Sequence, residues 1–355
     1  MRLSSVEVIP YALPFKEPYV TARGVLERRE MVLLRVRGED GLVGLGEAVP
    51  LSLRGGVGLA EVARELEGWA ESRGAAGLSA PARCAVAIAE MDLLGRRAAG
   101  SASAPGSTEA VPCNASLVAG TPDEVAAQAE RWADDGFTTF KLKLGAESAK
   151  NLVEQGFSRT RDVETVEAVR EAVGDEARIR VDVNEAWELE MAKRTLAELE
   201  PLGIELAEQP VAGLEAMAEL AASTSIPLAA DEGVASLAEA ERAAALGACE
   251  FTGVKLSKVG GPEEALAIAD VLPAYVTSAL DGPVGIAAAA QVALSLAETS
   301  HPERLHLAHG LATQRLFAET IAAVECELRD GMLHLPPGPG LGVEIDEEAL
   351  QAHRI

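Results

Sequence analysis

Apolar positions recur along this chain in two rhythms, and the change between them divides it. Near the N-terminus, Val6–Tyr11, Met31–Val36 and Leu42–Ala48 read as strands. The second and third are joined by Gly38-Glu39-Asp40-Gly41, a hairpin-type turn. Helical patterns follow over Leu59–Ser72 and Pro81–Arg97. Residues 1–100 are therefore predicted to form a small α+β unit. Ala98–Pro112, rich in Ala, Gly, Ser and Pro, reads as a linker.

Beyond the linker, short apolar runs alternate with Ala- and Glu-rich stretches of helical length. The runs are Ala115–Ala119, Thr138–Leu144, Ile179–Val183, Ile204–Glu208, Leu228–Asp231, Phe251–Leu256, Tyr275–Leu280 and Leu305–Ala308. Thr121-Pro122-Asp123-Glu124 opens one helix with a capping box and a proline at the first helical position. Eight strands alternating with helices predict an α/β chain, a (β/α)8-type TIM barrel over residues 111–315. An open doubly wound sheet is the alternative. Residues 316–355 are left to pack back on the N-terminal unit. Gly145–Thr160 is long and polar for a connection, the mark of a functional or partly disordered insert.

Composition narrows the partners. The chain has 355 residues, 48% hydrophobic and 25% charged, which is ordinary for a globular protein. Aromatics are only 3%, so Ala, Leu, Val and Ile must fill the core. Lysine plus arginine is 31 against 56 aspartates and glutamates, a formal charge of −25. Such a surface repels phosphate backbones and anionic membranes, which argues against nucleic-acid or membrane partners. A small anionic substrate must then be drawn in locally, by a metal ion or by placed Lys and Arg. Cys84, Cys113, Cys249 and Cys326 form no C-x-x-C pair and no zinc spacing, and read as reduced, partly buried thiols. The first residues open no apolar leader, and the longest apolar stretch, Val284–Leu296, is too short to span a bilayer. The expectation is a cytoplasmic protein, with a homo-oligomer left open.

Barrel active sites sit at the C-terminal ends of the strands. Read there in order, strand two ends in Lys141-Leu142-Lys143 and strand three in Arg180-Val181-Asp182-Val183-Asn184. Strand four ends in Glu208-Gln209-Pro210, strand five in Asp231-Glu232 and strand six in Lys255-Leu256-Ser257. Alternation puts Lys141 with Lys143, Arg180 with Asp182 and Asn184, and Lys255 with Ser257 on one face each. Asp182, Glu208 and Asp231 then lie on three neighbouring strands, a hard-oxygen set suited to Mg2+. Strands two and six are opposite in a ring of eight, so Lys143 and Lys255 face one another across that set. This arrangement suits removal of a proton α to a carboxylate, with the metal offsetting the charge that develops. Lys141 is expected to lower the pKa of Lys143 by like-charge repulsion. Each motif alone is ordinary surface or turn chemistry, but five on consecutive strands point to one site. Gly44 and Gly46 sit in a hairpin without a following helix and read as structural. His306-x-x-His309 reads as structural or as part of a substrate loop.

These residues resemble the enolase superfamily, in its muconate-lactonizing-enzyme subgroup. The resemblance runs from Thr21-Ala22-Arg23-Gly24 and Gly46-Glu47-Ala48-Val49-Pro50-Leu51 through Lys141-x-Lys143, Asp182-x-Asn184, Glu208-Gln209-Pro210, Asp231-Glu232 and Lys255-x-Ser257-x-x-Gly260-Gly261. It implies a barrel with an N-terminal α+β capping domain completed by the C-terminal segment. It implies Asp182, Glu208 and Asp231 as ligands of Mg2+, with Mn2+ as a substitute. Lys143 is implied as general base helped by Lys141, Lys255 as the opposing lysine, and Asn184, Glu232 and Arg180 as supporting groups.

Late in the chain, Thr277-Ser278-Ala279-Leu280-Asp281 and His309-Gly310-Leu311-Ala312-Thr313 look like o-succinylbenzoate synthases. That likeness implies a dehydratase acting in menaquinone biosynthesis, with Ser257, Ser278, Gly310 and Arg23 as substrate contacts. The cap loops around Phe15–Gly24 and Leu51–Gly56 are expected to close over the substrate. N-acylamino acid racemases, dipeptide epimerases and muconate cycloisomerases share the machinery and remain alternatives. The acidic D-x-D motif usual in dipeptide epimerases is missing after Asp281. A non-catalytic scaffold requires a damaged site, which the sequence does not have.

Overall fold

A computed structural model of the protein describes residues 2–21, 24–52, 55–74, 76–98, 109–118, 120–145, 159–296 and 307–355. β1 (Leu3–Thr21), β2 (Gly24–Gly38) and β3 (Val43–Ala48) form an antiparallel meander. Alternation splits β2 between two cores. Val32, Leu34 and Val36 pack on Val62, Leu66 and Trp69 of α1 (Leu59–Ser72) and on Ala82, Ala85 and Ala89 of α2 (Ala80–Ala98). Met31 and Leu33 face the other way, into the main core. Gly44 and Gly46 serve this packing. A Cβ at Gly46 would lie 2.0 Å from the Ala85 carbonyl oxygen, and one at Gly44 2.3 Å from that of Ala89.

The chain then runs through β4 (Ala110–Pro112), β5 (Ala115–Leu117), α3 (Pro122–Asp134), β6 (Thr139–Lys143), α4 (Arg159–Val173), β7 (Arg178–Asp182) and α5 (Leu189–Leu199). Next come β8 (Ile204–Glu208), α6 (Leu214–Ala221), β9 (Leu228–Ala230), α7 (Leu237–Leu246), β10 (Phe251–Val254), α8 (Leu256–Val259), α9 (Pro262–Val271), β11 (Ala274–Val276) and α10 (Pro283–Leu296). β5 to β11 pair in parallel in their chain order, with α3 carrying the expected capping box. The sheet closes on itself. Cys113 bridges to His309 and Thr277 to Gly310, so one short segment stitches the last strand to the first. This is a (β/α)8-type barrel whose eighth position is held by single-residue bridges.

β12 (Ala322–Val324), β13 (Glu327–Arg329), β14 (Met332–His334), β15 (Glu344–Ile345) and α11 (Glu347–His353) follow. This segment touches the meander at both ends. Phe317 bridges and stacks on Phe15, and Arg354 bridges to Tyr11.

Four expectations change. Ala110–Pro112, read as linker, is a strand because β14 supplies its antiparallel partner. The sixth strand stops at Val254, since Lys255 is the N-cap of α8, so Ser257 is helical and does not share a strand face with Lys255. The seventh strand stops at Val276, short of Ser278. The eighth-strand run Leu305–Ala308 lies partly outside the described residues, and closure falls one step later, at His309 and Gly310. Among the described residues no helix is long and apolar enough to cross a membrane.

Candidate active site

Parallel register sets the site. Lys143 pairs with Asp182, and Asp182 with Glu208, across β6, β7 and β8. Asp231 follows directly after β9, the next strand. All three acids are buried, at 1% exposure or less. Burying three carboxylates is unfavourable unless cations answer them, and lysines do. Lys141 Nζ lies 2.8 Å from Asp182 Oδ2 and 2.6 Å from Glu208 Oε2. Lys143 Nζ donates to the same Asp182 oxygen and, at 2.8 Å, to Asn184 Oδ1. Lys255 Nζ donates to Asp231 Oδ2. Asn184, in the left-handed region at φ 48°, in turn donates from Nδ2 to Glu232 Oε1 at 2.9 Å.

The electrostatics follow these contacts. Burial pulls the Lys141 ammonium toward neutrality, but Asp182 and Glu208 outweigh it and raise its pKa. Burial likewise raises Asp182, while Lys141 and Lys143 overcome it and hold that carboxyl below its ordinary range. The two lysines of the K-x-K pair therefore share an anion placed between them, and Lys141 is held charged by its acids.

Beneath the acids, Arg180 is fully buried, with Nε on Glu205 and Nη1 donating to the Ala308 carbonyl at 2.7 Å. His309 Nδ1 accepts from the Val276 N–H at 3.0 Å, and burial followed by the Arg180 charge pushes its pKa down to about 3. His309 is thus a neutral structural group at the closing seam. Of the expected substrate contacts, Ser257 and Ser278 spend their hydroxyls on Asp281, at 3.4 and 2.7 Å. Gly310 uses its backbone N–H and carbonyl in the closing ladder. Arg23, His306 and residues 146–158 of the insert lie outside the described residues.

Three groups escaped sequence reading. Lys258, one turn along from Lys255, also donates to Asp231 Oδ1 at 2.8 Å. Its place in a K-x-x-K pair is the one local signal, and it needs α8 to be a helix. Tyr275 Oη donates to Glu208 Oε2 at 2.5 Å. Its burial, and next the Glu208 charge, raise that phenol's pKa well above its ordinary value. Glu47 of β3 reaches across to the first turn of α10. It accepts from the Gly282 and Gly285 N–H groups at 2.7 and 3.3 Å and from Tyr11 Oη at 2.8 Å. Only the folded topology brings the last two together with their partners.

The donor set can be tested against a hard divalent cation. Among the described residues no three His, Cys, Asp or Glu side chains are gathered tightly enough to grip an ion as they stand. Each acid is turned to an amine instead. The chemistry nevertheless fits: the donors are carboxylate oxygens on adjacent strands, and Glu208 Oε1 is buried with no hydrogen-bond partner. An orphaned buried carboxylate oxygen is costly, and a cation would satisfy it.

The family model for the enolase C-terminal domain-like fold matches residues 124–349. The chain belongs to that family. It is 37% identical over 210 residues to the o-succinylbenzoate synthase of Thermobifida fusca (strain YX), a stretch covering 59% of this chain and 61% of that enzyme. The chain is thus matched over less than two thirds of that relative's length. Among solved structures it is similar to the muconate lactonizing enzyme of Pseudomonas fluorescens complexed with muconolactone. That likeness has 28% identity, a TM-score of 0.84, and covers 100% of this chain and 99% of that one. It is also similar to the dipeptide epimerase of Enterococcus faecalis V583 complexed with Mg and the dipeptide L-Leu-L-Tyr, at 25% identity and TM-score 0.84, over 97% of this chain and 100% of that one. Its relatives are those of the muconate-lactonizing-enzyme subgroup of the enolase superfamily, and the barrel with its N-terminal cap is theirs.

Proposed function

We propose that this chain is a Mg2+-dependent enzyme that removes the proton α to a substrate carboxylate, and that its reaction is that of an o-succinylbenzoate synthase. The observation that carries the reading is the pair of amines at the ends of opposite strands, Lys143 closing β6 and Lys255 just past β10, each seated on a different member of one buried carboxylate set. Asp182, Glu208 and Asp231 would hold Mg2+, for which Mn2+ is a substitute. Bound there, the ion supplies positive charge against the substrate carboxylate as the α-proton leaves.

The substrate is 2-succinyl-6-hydroxy-2,4-cyclohexadiene-1-carboxylate. Released from Asp182 and in its neutral form, Lys143 Nζ takes the proton from the carbon bearing the carboxylate. The C–H electrons move onto the carboxylate as an enediolate, then return to form the new ring double bond as the C–O bond to the hydroxyl breaks. Protonated Lys143 delivers its proton to that hydroxyl on the same face, so water departs and 2-succinylbenzoate remains. Aromatisation makes the step strongly downhill. Lys255 stabilises the charged intermediate from the opposite flank. Asn184 orients Lys143 and is itself steadied by Glu232. The 37% identity to an o-succinylbenzoate synthase and the Thr277–Asp281 and His309–Thr313 segments support this choice of substrate. Such an enzyme acts in menaquinone biosynthesis.

The test is loss of the substrate's ultraviolet absorbance with purified protein and Mg2+, abolished by EDTA. No turnover with metal present sinks the assignment. A second reading is favoured by the two-sided placement of the amines: racemisation of N-acylamino acids or epimerisation of dipeptides, with both lysines as bases. Exchange of the α-proton in deuterated solvent without loss of water distinguishes it, and Lys255→Arg then blocks exchange from one enantiomer only.

A further inference from the structure

We propose that Tyr275 is a positioning residue that decides which oxygen of Glu208 is offered to a divalent cation. The inference rests on the metal reading above and deepens it.

Tyr275 lies on β11 and Glu208 on β8, three strands apart in the sheet, so the phenol reaches across the lumen. Its side chain is completely buried. Two features of the sequence make room for the ring and pin it. Gly253, its register partner on β10, has no side chain, and a Cβ there would stand 3.3 Å from Tyr275 Oη and 3.4 Å from Cε2. On another side the Arg180 guanidinium lies 5.0 Å from the ring centroid, itself held by Glu205 and the Ala308 carbonyl. The hydroxyl is thereby aimed at one atom, Glu208 Oε2.

Lys141 Nζ reaches the same oxygen, but it divides itself between Asp182 and Glu208. The single phenolic proton goes to Glu208 alone. With both donors on Oε2, the other oxygen, Oε1, is left buried and without a hydrogen-bond partner. A carboxylate free to rotate would exchange its two oxygens and pair both. Tyr275 prevents that and keeps Oε1 available as a single-oxygen ligand. Groups that orient metal ligands in this way commonly set affinity by about 10- to 100-fold.

Tyr275→Phe keeps the ring, its packing and the Arg180 stack, and removes only the donor. The experiment is calorimetric titration of Mg2+ into the metal-free full chain and the variant, with melting in EDTA as the folding check. The expected result is a Kd for Mg2+ raised by about 10-fold or more, with the metal-free Tm held within a few degrees. The chain has only 3 tyrosines, so Mg2+ should also give a tyrosine ultraviolet difference signal that the variant loses. A residue that merely packs would leave Kd unchanged in the variant. Equal Kd values for the two folded proteins overturn the inference. If Tyr275→Phe fails to fold, the unsubstituted protein is read alone: Mg2+ binding seen by calorimetry with no tyrosine difference signal overturns the inference. No Mg2+ binding by the unsubstituted protein overturns the metal reading and this inference together.

Discussion

Replacing Lys141 with methionine probes the charge balance on which the site depends. The methionine keeps most of the buried stem and deletes one ammonium that lies 2.8 Å from Asp182 and 2.6 Å from Glu208. Both acids are at 1% exposure or less, so water cannot replace the lost cation. Removing one partner from a buried ionic group costs about 3–5 kcal/mol, far more than a surface pair. With an unfolding entropy of about 2.1 cal/mol/K per residue, 355 residues give about 0.75 kcal/mol/K, or about 1.3 °C per kcal/mol. The metal-free variant should therefore melt about 4–7 °C below the unsubstituted protein in EDTA. A divalent cation neutralises the same carboxylates, so saturating Mg2+ should raise Tm more in the variant than in the parent. Differential scanning calorimetry in EDTA and in Mg2+ makes both comparisons. A variant as stable as its parent in EDTA would refute the claim that Lys141 offsets the buried acids.

Three further outcomes follow from the same contacts. Lys143→Ala should lower kcat by about 10,000-fold, on the order of 5 kcal/mol of transition-state stabilisation, in steady-state assays with Mg2+; unchanged turnover removes Lys143 from the chemistry. Burial, and then Asp281, push Glu47 up to about 7 from 4.5. Between those values the folded carboxyl keeps a proton that the unfolded chain has released, so stability falls by about 3 kcal/mol as pH rises through that window. Glu47→Gln should remove that slope in denaturant titrations across pH 4.5–7. His309, pushed down to about 3 from 6.5, has the opposite sign. As pH falls below 6.5 the unfolded imidazole takes up a proton the folded one refuses, costing about 5 kcal/mol by pH 3. His309→Asn, which offers an acceptor to the Val276 N–H without titrating, should retain stability in acid that the parent loses.

What could be read from the chain was whatever repeats locally. The strand runs at Thr138–Leu144, Ile179–Val183 and Ile204–Glu208 match β6, β7 and β8 within a residue or so, because each is a short apolar run bounded by turn chemistry. The helices over 59–72 and 80–98 stand where the apolar spacing put them. The polar residues at those strand ends stood out because charge at the edge of an apolar run is conspicuous.

What could not be read depends on partners distant in sequence. Tyr275 looks like one more strand aromatic until Glu208, 67 residues away, is seen to accept its proton. Glu47 looks like a hairpin residue until the first turn of α10, 235 residues on, is seen to lie over it. Ala110–Pro112 becomes a strand only because Met332–His334 is there to pair with it. The expected like-charge effect between Lys141 and Lys143 overlooked Asp182, which the β6–β7 register sets between them. The closing seam escaped because single-residue bridges at His309 and Gly310 leave no run to detect.

The most direct measurement is a crystal structure grown with Mg2+. The account predicts one ion about 2.1 Å from an oxygen of each of Asp182, Glu208 and Asp231, with Lys143 Nζ and Lys255 Nζ released from their acids on opposite sides of it. An ion bound elsewhere, or the acids still locked to their lysines at saturating Mg2+, would contradict it.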